Sequence, residues 1–204
     1  MPHPSWNDSY ASGQLPWDSG QPEPLLVEFV TSGGVSPART FEIGAGTGTN
    51  AIWLAERGFD VLGVDVSPLA VEQARAKMKG RDLRCRFAAL DFLSATPPDG
   101  PFRFVFDRGC FHVFDEPVER QRFAAQVAAT LEPGGLWLSL IGSTEGPPRD
   151  VGPPRRPARE VVLAIEPALE IVELRCAEFH NDAKAWFCLS RQRTIPAQPS
   201  TRHA

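Results

Sequence analysis

The chain has 204 residues, 42% of them hydrophobic and 23% charged, which suits one domain with a buried core. A net charge of −4 without any basic stripe speaks against a nucleic-acid partner. No export leader and no apolar run near 18 residues stands in the sequence, so neither a membrane partner nor secretion is expected and the protein is read as cytoplasmic.

From residue 40 onward strand-like and helix-like runs alternate, the pattern of a parallel sheet wrapped by helices. A first strand is expected over Thr40–Ile43, and a helix over about Thr49–Arg57 stopped by Gly58. A second strand, Asp60–Val64, precedes Ser67-Pro68, an N-cap and first-turn proline for a helix that Gly80 ends. Strand three spans Arg84–Ala88, and a Pro-Pro-Asp-Gly-Pro turn introduces strand four, Phe102–Phe106. Pro117 opens a helix with Val118, Phe123, Val127 and Leu131 at helical spacing, and Pro133-Gly134-Gly135 is expected to end it before strand five, Leu136–Ile141.

Residues 142–159 are rich in Pro, Gly and Arg and read as a loop over the pocket. Arg149, Arg155, Arg156 and Arg159 against Asp150 make it either a solvated loop or a lid that grips an anionic or electron-rich substrate. A short helix, Arg159–Glu166, and two strands, Leu169–Cys176 and Ala185–Ser190, complete an α/β domain over 1–193. The two strands are expected to pair antiparallel at the sheet edge, and 194–204 read as a tail. Cys85, Cys110, Cys176 and Cys188 form no C-x-x-C pair, so neither zinc nor a disulfide framework is expected. Cys85, Cys176 and Cys188 read as small core residues, and Cys110 as a pocket residue.

The chemistry concentrates between Phe41 and Asp65. Glycines at 44, 46 and 48 allow a strand-to-helix turn with positive φ and close approach of a ligand to backbone N–H groups. Asp65, 17 residues after Gly48, ends the second strand, where a carboxylate can accept both ribose hydroxyls. The spacing is G-x-G-x-G rather than the G-x-G-x-x-G of dinucleotide sites, and Glu42 precedes it. A carboxylate there repels a pyrophosphate but suits an ammonium or sulfonium ligand.

This E-x-G-x-G-x-G turn with its later acid resembles motif I of the class I S-adenosylmethionine (SAM) dependent methyltransferases. The stretch from Trp6 to Pro22, W-x3-Y-x2-G-x2-P-W-D-x-G-Q-P, and the run Asp107-Arg108-Gly109-Cys110-Phe111-His112 resemble the small-molecule branch near the thiopurine and thiol S-methyltransferases and the tellurite-resistance group. The resemblance implies a Rossmann-like, seven-stranded, mostly parallel sheet with an antiparallel edge strand and helices on both faces. It makes residues 1–30 a cover over the cofactor, with Trp17 lining the pocket. Gly44, Ala45, Gly46, Gly48 and Asn50 would pack against the methionine part and ribose, with Glu42 orienting the turn or meeting the amino group. Asp65 would hold the ribose and Val66 the adenine face; Asp91 would accept from the adenine amino group, with Phe92 flanking the ring. Asp107, Arg108 and Gly109 would border the methionine moiety, and His112 either faces the acceptor or is a satisfied structural residue.

The expected activity is methyl transfer to a small-molecule acceptor, a thiol first. Arg108 would favour the thiolate, and His112 would take the proton of a less acidic oxygen or nitrogen. No metal is implied, and the chain would work as a monomer or homodimer. The absence of an N-P-P-Y or D-P-P-Y tetrad after strand four disfavours DNA or protein-glutamine substrates. O- or N-methylation of a secondary metabolite, a SAM-binding protein without catalysis and a nicotinamide-dependent oxidoreductase are the alternatives.

Overall fold

The structure, a computed structural model, describes residues 6–147, 152–179 and 182–193. Arg149 and Asp150 of the expected lid, and the expected tail, lie outside the described residues. Two short helices come first, α1 (Trp6–Ser12) and α2 (Pro24–Thr31). The alternation then begins with β1 (Arg39–Ile43), α3 (Thr49–Ala55), β2 (Asp60–Asp65), α4 (Pro68–Met78), β3 (Cys85–Ala89) and β4 (Phe102–Arg108). A short 3₁₀ turn, Phe111–Val113, leads to α5 (Pro117–Thr130), β5 (Leu131–Gly142), α6 (Ala158–Ile165), β6 (Glu170–Glu178) and β7 (Lys184–Arg191).

The local signals act as the chemistry requires. The Ser67 hydroxyl accepts the Ala70 N–H and Pro68 occupies the first turn of α4, so a free backbone donor is satisfied and no donor is lost to the proline. One boundary differs from expectation. β5 begins directly at Leu131, so Pro133-Gly134-Gly135 lies inside a strand rather than between helix and strand. The pairing of β4 with β5 jumps there, from Phe102 opposite Leu131 to Phe104 opposite Leu136. Gly134 N–H donates to Gln192 O and Gln192 N–H to Gly135 O, so long-range backbone bonds hold what local propensity would release.

Among the described residues the sheet has seven strands in the order β3-β2-β1-β4-β5-β7-β6. β7 runs antiparallel both to β5 and to the edge strand β6, and the other neighbours pair parallel. Aromatic side chains fill both layers. On one face Phe41 stacks on Phe102 at 5.1 Å between centroids, and Phe92, Phe111, Phe123 and Trp137 pack under α5. On the other face Phe104, Phe106, Phe59 and Phe87 pack with α2, α3 and α4. Cys85 and Cys188 are buried as expected of small core residues, whereas Cys176 on the edge strand is exposed.

The topology places the site. Successive strands leave β1 first toward β2 and later toward β4, so the connections depart in opposite directions and open a crevice at the carboxyl ends of β1 and β4. Ile43 pairs with Asp107 at that end, which sets the glycine turn beside the loop after β4. No helix of the described residues is long and apolar enough to cross a membrane.

Candidate functional site

The turn from β1 to α3 has φ of +69° at Gly44, +56° at Gly46 and +81° at Gly48. Gly46 and Gly48 need glycine for different reasons. A Cβ on Gly46 would lie 3.0 Å from the Tyr10 hydroxyl, so this glycine faces the crevice and the helix above it. A Cβ on Gly48 would lie 2.6 Å from Phe87 Cζ, so this glycine instead lets α3 pack down on β3. Ala45 is buried, with its methyl against Gly63 rather than in the crevice.

Asp65 closes the turn from the second strand. One oxygen accepts the Gly46 N–H and the other the Ser67 N–H, each at 2.9 Å. Burial raises its pKa and these backbone donors oppose the rise. The carboxylate therefore stands at the crevice rim with its position fixed by two backbone segments. Val66 beside it is 51% exposed, a surface open to a flat apolar partner.

Beneath the turn runs a polar chain. Glu42 Oε1 accepts from Asn50 Nδ2, and Asn50 Oδ1 accepts the Glu23 N–H at the start of α2. Glu23 Oε2 accepts from Arg108 Nε at 2.5 Å, and Arg108 also donates to Trp17 O and lies 4.9 Å over the Phe179 ring. The other Glu42 oxygen is buried with no hydrogen-bond partner, and burial pushes the Glu42 pKa up to about 8. Arg108 is thus bound to the N-terminal segment, through Glu23 and the Trp17 carbonyl.

The Asp107 carboxylate is fully buried and bonded within the protein. It accepts from Trp137 Nε1 at 2.9 Å and from the N–H groups of Cys110 and Phe111, and so builds the loop after β4 from inside. Burial pushes it up to about 6. This loop meets the glycine turn at Cys110, whose Cβ is 3.2 Å from a Cβ placed on Gly44, and burial holds the Cys110 thiol well above its ordinary range.

His112 is 2% exposed, and its Nδ1 accepts the Gly142 N–H at 2.5 Å. Its carbonyl accepts from Arg156 Nε and Nη2, while the Arg156 N–H donates to Gly142 O. Arg156, read from the sequence as part of either a solvated loop or a lid, braces the loop that carries His112. Arg120 works beside it, donating to the carbonyls of Phe114 and Asp115 and to Glu160.

Asp91, expected to accept from the adenine amino group, is exposed and accepts from Leu93 N–H and Ser94 Oγ. Phe92, expected beside the adenine ring, lies in the turn after β3 and packs into the core between Phe41 and Phe123.

The N-terminal segment is tied to these same loops. Asn7 Oδ1 accepts from Ser67 Oγ and Leu69 N–H, Asp18 accepts from the Thr47 hydroxyl, and Tyr10 is buried against Trp17 and the glycine turn. Sequence reasoning placed Tyr10 and Asp18 in the N-terminal motif and Arg156 in the loop over the pocket without giving them individual roles. It passed over Glu23, whose acid-proline pair with Pro24 reads as a helix start. The crevice thus offers a glycine-lined backbone, a rim carboxylate, a buried acid below and an aromatic cover, an arrangement able to enclose a nucleoside with a cationic tail.

A family model described as thiopurine S-methyltransferase matches residues 1–185. Among curated relatives, the protein named "Probable thiol methyltransferase 2" of Arabidopsis thaliana is 32% identical and covers 72% of this chain and 66% of its own length. The 2-heptyl-1-hydroxyquinolin-4(1H)-one methyltransferase of Mycobacteroides abscessus is 30% identical, over 68% of this chain and 61% of its own. The chain thus spans slightly less than two thirds of the length of these relatives. Among solved structures, the 1,6-didemethyltoxoflavin-N1-methyltransferase of Burkholderia thailandensis, with bound S-adenosylhomocysteine, superposes with a TM-score of 0.74 at 19% identity, over 93% of this chain and 86% of that one. That likeness shows the fold, the seven-stranded sheet of the class I methyltransferases.

Proposed function

The chain belongs to the thiopurine S-methyltransferase family, and from that premise we propose that it transfers a methyl group from SAM to a small-molecule acceptor, first of all a thiol sulfur. The observation that carries the reading is the tie between Asp65 and Gly46, which holds a ribose-binding acid against a positive-φ glycine turn at the sheet's switch point.

The residues fit the cofactor on their own chemistry. The turn admits a ligand against Gly46 because no Cβ stands there, Asp65 offers carboxylate oxygens at the rim, and Glu42 keeps one buried oxygen without a donor at the foot of the turn. When bound, SAM supplies a methyl already activated on a sulfonium. The protein's own work is to hold, align and exclude water. Asp65 and the glycine turn would hold the nucleoside, Asp91 the adenine amino group, and Trp17 and Tyr10 would shut the crevice from above. Fixing nucleophile and methyl carbon in line is worth on the order of 7–11 kcal/mol of the barrier.

The net charge of −4 supports a small acceptor over nucleic acid. Free thiols at Cys85, Cys110 and Cys188 are in keeping with a reducing, cytoplasmic setting, in which the chain would act as a monomer or homodimer. The test is a release assay for S-adenosylhomocysteine across thiols, phenols and amines. Thiol-dependent release supports the reading; release with phenols or amines alone moves the acceptor to oxygen or nitrogen.

A further inference from the structure

We propose that Asp18, Thr47 and Lys77 are positioning residues that latch residues 13–20 as a strap across the crevice, and that opening of this strap admits and releases the nucleoside cofactor. The inference rests on the methyltransferase reading above and adds a gate to it. Its origin is the way Trp17 and Asp18 divide between the two walls. The Trp17 carbonyl accepts from Arg108 at the end of β4, and the next residue, Asp18, accepts the Thr47 hydroxyl at 2.5 Å in the turn after β1. Two adjacent residues thus bridge the crevice from β4 to the glycine turn.

The latch carries opposite charges at its two ends. Asp18 uses one oxygen within its own loop, accepting the Gly20 N–H at 3.0 Å, and the other on Thr47. Lys77 of α4 donates to that same Thr47 hydroxyl and to Thr49 Oγ1. A hydroxyl has one proton, so a donor on its lone-pair side directs that proton to the carboxylate. Thr47 therefore relays between an acid on the strap and a cation on the body of the protein. Thr47 is 6% exposed and Lys77 is exposed, so the latch runs from solvent to the crevice wall.

The strap has a hinge at each end and a firm anchor beyond each hinge. Gly13 and Gly20 have φ of +71° and +70°, and a Cβ on either would meet open space, so these glycines serve backbone freedom rather than packing. Before Gly13, α1 is pinned, because Asn7 takes two donors at the start of α4 and Tyr10 is buried. After Gly20, Leu26 of α2 is fully buried. Between the hinges Leu15, Trp17 and Asp18 are half-buried and the rest is exposed, so the segment opens with little loss of buried surface once the latch parts. Every bond of the latch joins two protein groups. Closure therefore does not wait for the ligand, and the same opening governs entry as well as exit.

The test follows S-adenosylhomocysteine binding to the full chain by stopped-flow tryptophan fluorescence, and amide hydrogen exchange across 13–20 and 44–48 without added ligand. Wild type, Thr47→Val and Lys77→Met are compared, with urea unfolding of each. Val keeps the shape of Thr without its hydroxyl, and Lys77→Met alters a solvent-facing residue of α4, so a fold defect in the first variant leaves the second to decide. Thr47→Val should raise both the association and the dissociation rate constants by about 10- to 100-fold, the worth of a hydrogen bond to a charged group. Lys77→Met should raise both by about two- to fivefold, the worth of an exposed charge. Exchange should quicken by the same factors, and the dissociation constant should change less than either rate. Faster dissociation with unchanged association would make Thr47 a contact of the bound ligand and overturns the gate, as do rates and exchange equal to wild type in both variants. A wild type that binds no S-adenosylhomocysteine, while exchange still quickens in the variants, leaves the latch standing and brings down the methyltransferase reading instead.

Discussion

Asp65 accepts the Gly46 N–H at 2.9 Å across 19 residues of chain, and this bond joins the second strand to the turn after the first. The same carboxylate holds Ser67 N–H ahead of α4, so one side chain sets both walls of the crevice. Asp65→Ala should weaken SAM affinity by at least about tenfold, since a hydrogen bond to a charged group is worth ~1.5–3 kcal/mol. Calorimetric titration checks this, and equal affinity in wild type and variant would remove Asp65 from the site.

Glu42 gives a pH signature. Its folded pKa of about 8 lies above the ordinary 4.5, because burial disfavours the charge. Between those values the folded state holds a proton that the unfolded chain has lost, so its contribution to stability falls as pH rises from 4.5 to 8. Glu42→Gln has no such proton and should gain on wild type across that window. Melting temperatures of both cofactor-free proteins at pH 5 and pH 8 test it. A constant gap would show that Glu42 does not titrate there.

The Arg108–Glu23 pair anchors the N-terminal cover. With Glu23 side-chain exposure at 0% and Arg108 at 16%, removing one partner leaves a charge poorly solvated. Glu23→Ala should cost about 3 kcal/mol of stability and raise the dissociation constant for SAM, because Trp17 loses part of its tether. Denaturant unfolding and SAM titration read the two effects. A normal affinity in a destabilised variant would confine the pair to structure.

Gly48→Ala should be poorly tolerated. The new methyl meets the Phe87 ring at 2.6 Å in a left-handed backbone, and strain with overpacking together cost about 2–4 kcal/mol. Urea unfolding with an unchanged slope and an earlier midpoint is the expected result. A midpoint equal to wild type would mean that α3 can lift from β3 freely.

The fold was legible where signals are local. Ser67-Pro68, Gly58 and the glycine turn act within a few residues, and they mark helix ends that the structure reproduces to within two or three residues. Pro133-Gly134-Gly135 misled because bonds to Gln192 and the pairing of β5 with β4 outweigh local propensity. In the site, Asp65 and Gly46 stood out in their spacing. Phe92, Asp107 and Arg108 carried suitable chemistry, but the direction of each is set by a distant partner, Phe123, Trp137 and Glu23 respectively. The Arg108–Glu23 contact spans 85 residues, and nothing in the sequence announces it.

The most direct test is calorimetric titration of the purified chain with SAM and, separately, with NAD. A crevice built on Glu42, the 44–48 turn and Asp65 predicts that one SAM binds per chain and that NAD gives no heat of binding. NAD binding without SAM binding would contradict the central claim and return the glycine turn to a pyrophosphate.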